Sequence, residues 1–166
     1  MTKKIFIING SGGVGKDTFV NLVSEETVIM NVSSVDKIKD IAKLIGWDGI
    51  SKTEKDRKFL SDLKVLTSEY CDMPFQYMKE RVEEFNSEIC IATCMFLHIR
   101  EPEEIERAKK EFNAETILIT RDSVKHITSN MADASVYNYK YDYTIANDGT
   151  IEDLRKIAKH FIKEFV

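Results

Sequence analysis

Apolar positions fall along the chain in two alternating rhythms. Residues 5–9 (IFIIN) form a short β-branched run stopped by glycine, as expected of a strand buried on both faces of a parallel sheet. After a glycine-rich turn, residues 16–24 carry Phe19, Val20, Leu22 and Val23 and begin a helix. Glu25 and Glu26 then precede a second β-rich run at 27–32. Together these make a complete βαβ unit with the first strand central.

The middle of the chain turns helical. Val35, Ile38, Ile41, Ala42 and Ile45 recur at helical spacing, and Gly46-Trp47-Asp48-Gly49 stops that helix. Phe59, Leu60, Leu63 and Leu66 recur at three- and four-residue intervals within 53–69, and Pro74 sits near the start of another helical stretch reaching Phe85. Residues 33–86 read as a helical insertion.

Strand and helix then alternate again. Residues 89–99 (ICIATCMFLHI) are nearly all apolar or small and predict a buried strand, 103–112 its crossover helix, and 115–120 (ETILIT) the next strand. Residues 122–141 are polar, without clear periodicity, and hold a tyrosine cluster; they read as a lid-like loop. Residues 143–146 make a last short strand and Asn147-Asp148-Gly149 a turn. Thr150, with Asp153 three residues on, caps a closing amphipathic helix over 151–165. No internal repeat is visible, so the expectation is a single domain over 1–166.

Composition narrows the function classes. At 166 residues, 43% hydrophobic and 31% charged, the chain has the makings of one folded core. A net charge of -4 argues against a nucleic-acid binder held by phosphate neutralisation, while leaving room for a local anion site. Cys71, Cys90 and Cys94 lack the count and spacing of a disulfide framework or a paired zinc motif. No run approaches the length of a membrane span, and the cytoplasm is the expected location.

The motif that carries chemistry is Gly10-Ser11-Gly12-Gly13-Val14-Gly15-Lys16, a GxxxxGK pattern set between a buried strand and the start of a helix. Glycines let several backbone N–H groups converge on one phosphate, which side chains would obstruct. The helix start adds its unpaired amides and positive dipole end, and Lys16 a mobile point charge for the β- and γ-phosphates. The competing reading, a mere tight turn, requires neither the extra glycines nor the lysine. The residue after the lysine, commonly Ser or Thr reaching Mg²⁺, is Asp17, with Thr18 next; both are candidates for the ion, and Asp17 also suits the first helical turn as a favourable charge.

These residues resemble the P-loop nucleoside monophosphate kinases, and within them the bacteriophage-type deoxynucleoside monophosphate kinases and adenylate-kinase-like proteins. GSGGVGKDT (10–18) is similar to that family's variant phosphate loop, in which GKD is common, and SSVDKIKDIAKLIGWDG (33–49) to its segment after the second strand, with Asp36 and Lys37 carrying the match. HIREPEEIE (98–106) resembles the third-strand exit through Arg100 and Pro102. The family's acidic position there is His98, and Glu101 is the nearby carboxylate available in its place. ILITR (117–121) is similar to the strand entering the lid, and DYTIANDGTIEDL (142–154) to the final strand and base-proximal loop. The resemblance implies an α/β, three-layer P-loop NTPase fold with a five-stranded parallel sheet, a helical acceptor-binding insertion and a short lid. It also implies ATP as phosphoryl donor.

Gathering two nucleotides concentrates negative charge, which calls for arginines from segments outside the loop. The candidates are Arg57, Arg81, Arg100, Arg107, Arg121 and Arg155. Arg100 and Arg121 directly follow strands, at the sheet edge that carries ligands in parallel α/β folds. Arg57 and Asp36 fall where the family binds its acceptor, although each also reads as an ordinary helix charge. The expected function is transfer of the ATP γ-phosphoryl group, with Mg²⁺, to a small acceptor, read as a nucleoside monophosphate. In this reading Lys16, Arg100 and Arg121 are catalytic, Gly10 to Thr18 bind ATP, and Asp17 and Thr18 serve the metal. The expected assembly is a monomer or homodimer without nucleic-acid or membrane partners. The alternatives are a kinase of another small metabolite and a nucleotide-binding regulatory protein; a guanine-reading NKxD segment is absent.

Overall fold

A computed structural model of the chain describes residues 3–124 and 135–166. Five strands, β1 (Lys4–Asn9), β2 (Ile29–Ser33), β3 (Cys94–His98), β4 (Glu115–Thr120) and β5 (Tyr143–Ala146), form one sheet in the order β2-β3-β1-β4-β5. Every pairing is parallel, with Ile5 opposite Met95 and Ile8 opposite Ile117. The carboxyl ends of all strands therefore open on one edge.

Alternation of side chains along β1 explains why the sheet is covered on both faces. Ile5 and Ile7 join Met95 and Leu97 in a core with Phe75, Met78, Val82 and Phe85 of α4 (Met73–Asn86) and Ile105 and Ala108 of α5 (Pro102–Phe112). Phe6 and Ile8 join Phe96 in a second core with Phe19, Val20 and Val23 of α1 (Lys16–Ser24) and Leu154, Ala158 and Phe161 of α6 (Ile151–Phe165). Phe161 sits at the centre of this second layer, its ring 4.8 Å from Phe6 and 5.5 Å from Phe19. Helix on sheet on helix is the expected three-layer architecture.

The capping box at Thr150 forms as its sequence requires: the Thr150 hydroxyl accepts from the Asp153 N–H, and the Asp153 carboxylate accepts from the Thr150 N–H. Two further helices, α2 (Asp36–Leu44) and α3 (Glu54–Cys71), lie with α4 between β2 and β3. The only buried side chain on α3 is Lys64. Its ammonium lies 2.7 Å from Glu101 and 2.9 Å from Glu104 at the start of α5, so an ion cluster rather than an apolar stripe ties α3 to the third-strand exit.

The strand predicted over 89–99 is shorter than its apolar run. Ile89 and Ile91 are 90% and 78% exposed, and pairing begins only at Cys94. The connection from α4 must first turn, with the Cys90 N–H donating to the Ser87 carbonyl, before the Thr93 N–H reaches the Val28 carbonyl at 2.9 Å. Half of the lid-like loop predicted at 122–141, residues 125–134, lies outside the described residues; nearer its end a 3₁₀ turn forms at Val136–Asn138.

Because Phe161 bridges α1, α6 and the sheet, Phe161→Ala is expected to cost about 3–5 kcal/mol. Urea unfolding followed by circular dichroism measures it, and a loss below about 1 kcal/mol would show that this layer is not the core.

Candidate nucleotide site

The bend after β1 sits at the middle of the carboxyl edge and is built around three residues in left-handed or strained backbone. Gly10, Gly13 and Gly15 have φ of 150°, 84° and 97°. A Cβ on Gly10 would lie 2.4 Å from the Ile119 carbonyl oxygen, and one on Gly15 2.4 Å from Asn147 Nδ2. Gly13 has open space, its nearest neighbour being Val124 at 4.0 Å. Two glycines thus allow the loop to press against β4 and the turn after β5, and the third faces outward.

Two asparagines hold the loop's shape. Asn9, fully buried, accepts the Gly10 N–H at 2.8 Å and donates to the Arg100 carbonyl at 3.2 Å and to the Tyr141 hydroxyl at 2.9 Å. That hydroxyl in turn donates to the Val136 carbonyl, and burial pushes its pKa up to about 12. Asn147 donates to the Val14 carbonyl at 2.9 Å, and its own N–H reaches the Thr120 carbonyl at 2.8 Å. With the loop so anchored, the N–H groups of Gly12, Gly13 and Gly15 meet no acceptor among the described residues. Adjacent donors left open at a helix start are the feature an anion requires. The residues present therefore fit a polyphosphate.

Lys16 folds over this cradle, its Nζ 2.6 Å from the Gly10 carbonyl and 3.0 Å from that of Ser11. Asp17 projects outward with 90% of its side chain exposed and its Oδ1 4.0 Å from Nδ1 of His98. Thr18 is exposed on the same first turn. His98 ends β3 at the position where the resemblance would place an acid, and its Nε2 lies 2.9 Å from Asn31 Oδ1. Burial pushes the imidazole below the usual histidine pKa, with Asp17 pulling the other way and Lys16 reinforcing the fall. Glu101, the carboxylate available as a substitute for that acid, is held by Lys64, which keeps it ionised below the ordinary glutamate range despite burial.

The arginines divide. Arg100 and Arg121 stand at the exits of β3 and β4 beside the loop, and Arg121 Nε lies 3.2 Å from Ser123 Oγ. Arg107 is committed to structure: it forks onto Asp72 at 2.8 and 2.6 Å and stacks 3.5 Å over the Phe75 ring. Arg155 pairs with Glu25 and Arg81 with Glu84. Arg57, at the start of α3, donates to the Lys52 carbonyl at 3.1 Å. Asp36 accepts the Ser33 N–H at 2.7 Å, closing the turn into α2. Asp36 thus serves the local turn at the carboxyl edge, and Arg57 is drawn back onto its own loop.

A cavity of about 270 Å³ opens beside the loop, lined by Thr120, Arg121, Asp122, Val124 and Tyr137. Tyr137 reaches the loop, its hydroxyl 3.2 Å from Ser11 Oγ. A larger cavity of about 530 Å³ lies away from the loop, where Lys4 pairs with Glu115 and Lys109 with Asp142. The smaller cavity is the one next to the glycine-rich loop. Sequence reasoning missed Asn9, Asn147, Tyr137 and Lys64, whose long-range partners lie 27 to 133 residues away. The one local signal was a polar residue closing each of the apolar strands β1 and β5.

Solved structures match this arrangement over nearly the whole chain. TT1252 from Thermus thermophilus is 16% identical with a TM-score of 0.56 and full coverage of both chains. Dephospho-CoA kinase from Campylobacter jejuni is 18% identical at 0.55, over 98% of this chain and 97% of that one. Shikimate kinase from Aquifex aeolicus is 15% identical at 0.53, over 96% of each. The fold is that of the P-loop kinases. At these identities the likeness is one of fold, and it does not single out the nucleoside monophosphate or phage-type branch. No family model matches the chain, and no curated protein matches it in sequence.

The glycine geometry makes a graded prediction. Gly10→Ala must displace a β4 carbonyl and is expected to cost at least about 2 kcal/mol, whereas Gly13→Ala meets only backbone strain of about 1 kcal/mol. Denaturant midpoints of the two variants test this, and equal losses would contradict the packing described.

Proposed function

We propose that this chain is an ATP-dependent phosphotransferase that moves the γ-phosphoryl group to a small acceptor, read as a nucleoside or deoxynucleoside monophosphate. The observation that carries the reading is the trio of open N–H groups at Gly12, Gly13 and Gly15 beneath the Lys16 ammonium. Such a cradle serves polyphosphate, and the P-loop kinase fold supports transfer as its use.

In this reading the loop amides hold the phosphate chain, and Lys16 leaves the carbonyls of Gly10 and Ser11 for the β- and γ-phosphates. Arg100 and Arg121 flank the loop from β3 and β4 and clamp the transferred or acceptor phosphate. Asp17 and Thr18 stand on the first turn of α1 as oxygen donors for the metal. Held by these two side chains, Mg²⁺ would supply positive charge to offset the negative charge that develops on the transferring phosphate. The acceptor attacks in line, so no side chain serves as nucleophile.

One observation favours a different small metabolite as acceptor. The residues assigned to a nucleotide acceptor, Asp36 and Arg57, are both engaged locally, by Ser33 and by the Lys52 carbonyl. The fold neighbours named for an activity are kinases of dephospho-CoA and of shikimate.

A coupled assay of ADP formation over a panel of monophosphates, dephospho-CoA and shikimate decides between them. The account expects ADP formation that depends on one monophosphate, lost by about 10²-fold or more in Lys16→Ala with the unfolding midpoint preserved. Turnover only on a non-nucleotide acceptor would transfer the assignment to that metabolite. ATP binding without turnover on any acceptor would indicate a regulatory protein, and unaltered turnover in Lys16→Ala would remove the loop from the mechanism.

A further inference from the structure

The third-strand exit lacks a carboxylate at the position next to the loop, and the surrounding groups show what stands there instead. His98 is three-quarters or more enclosed, with 17% of its side chain exposed, so its ring is fixed rather than free to sample solvent. Asn31, on the neighbouring strand β2, presents Oδ1 to Nε2 at 2.9 Å. An amide oxygen only accepts, so the ring proton resides on Nε2 and Nδ1 keeps its lone pair. Nδ1 lies 4.0 Å from Asp17 Oδ1. Two metal–ligand bonds of about 2.1 Å reach across such a gap, and Asp17, on an exposed first turn, has the freedom to adjust.

We propose that Asp17 and His98 form a mixed oxygen–nitrogen cation site, with Nδ1 of His98 as a direct ligand in place of the missing acid. The proposal rests on the phosphotransferase reading, because two protein ligands are too few for a resident ion. Among the described residues no group of three or more His, Cys, Asp or Glu side chains is placed to hold one. The remaining ligands must be phosphate oxygens and water, so the cation enters with the nucleotide. Asn31 is the positioning residue: its bond to Nε2 sets the tautomer and aims the ring, as outer carboxamides and carboxylates do for metal-bound histidines.

An imidazole ligand changes which cation the site favours. Mg²⁺ prefers an all-oxygen shell, whereas Mn²⁺ and the later divalent ions accept nitrogen readily. The chain with ATP bound is therefore expected to favour Mn²⁺ over Mg²⁺ more strongly than His98→Asp does, by about tenfold. Glu101 is already paired through Oε2 with Lys64 at 2.7 Å.

The test is pulsed electron paramagnetic resonance of Mn²⁺–ATP on the full chain, prepared with ordinary and with ¹⁵N-imidazole histidine. A nitrogen coupling that changes with the label, and that disappears in His98→Gln, is the expected result. His98→Gln keeps a polar side chain opposite Asn31, and the labelled wild type requires no variant at all, so a folding defect cannot mask the answer. His126 and His160 are present in every sample and serve as the internal control. Mn²⁺–ATP that binds without any histidine coupling would overturn the proposal and leave the phosphate loop intact. A coupling that survives in His98→Gln would overturn it as well. Failure of Mn²⁺–ATP to bind the chain would remove the reading of the loop, and this site with it.

Discussion

A backbone N–H at a helix start that meets no acceptor is available to an anion, and among the described residues three such groups cluster at one bend. Gly12, Gly13 and Gly15 carry these open donors at the start of α1, on the central strand of the sheet. The surrounding structure does not relieve them. It fixes them, through Asn9 on one side, Asn147 on the other, and a Gly10 with no room for a side chain beneath Ile119. A loop held in a strained shape by buried polar side chains is a preorganised site, and preorganisation is what makes dipoles effective against developing charge.

The rest of the molecule follows from placing that bend. Parallel pairing brings the exits of β3, β4 and β5 to the same edge, which is why His98, Arg100, Arg121 and Asn147 meet the loop although they are spread over 50 residues of sequence. The two cores, one with α4 and α5 and one with α1 and α6, pack the sheet against both helical layers. On α3 an ion cluster does the work usually done by apolar packing. Lys64 reaches two carboxylates at the start of α5, so the insertion is fastened directly to the segment that carries Arg100.

Much of this was legible in the residues themselves. The βαβ opening, the resumption of strand and helix after residue 86, and the cap at Thr150 all depend on local periodicity and local hydrogen bonds, which sequence records directly. The phosphate loop was legible because its chemistry demands glycine and lysine at fixed spacing. What periodicity missed was set by distant partners. The apolar run at 89–99 reads as one strand, yet Ile89 and Ile91 lie in the exposed connection before the sheet. Lys64 drew no assignment because nothing near it in sequence shows Glu101 and Glu104 across the fold. Of the acceptor residues, Asp36 and Arg57 are engaged by neighbours three and five positions away, and Asp36 lies close enough to His98 for its charge to act on the imidazole.

The central claim is that the open amides of the bend receive a polyphosphate. Backbone ¹H–¹⁵N spectra recorded as ATP and Mg²⁺ are added examine those atoms themselves. The account predicts that the amide resonances of Gly12, Gly13 and Gly15 move the furthest and saturate together, with adenosine alone leaving them in place. Amides at this bend that stay still while others shift, or that respond equally to adenosine, would contradict it.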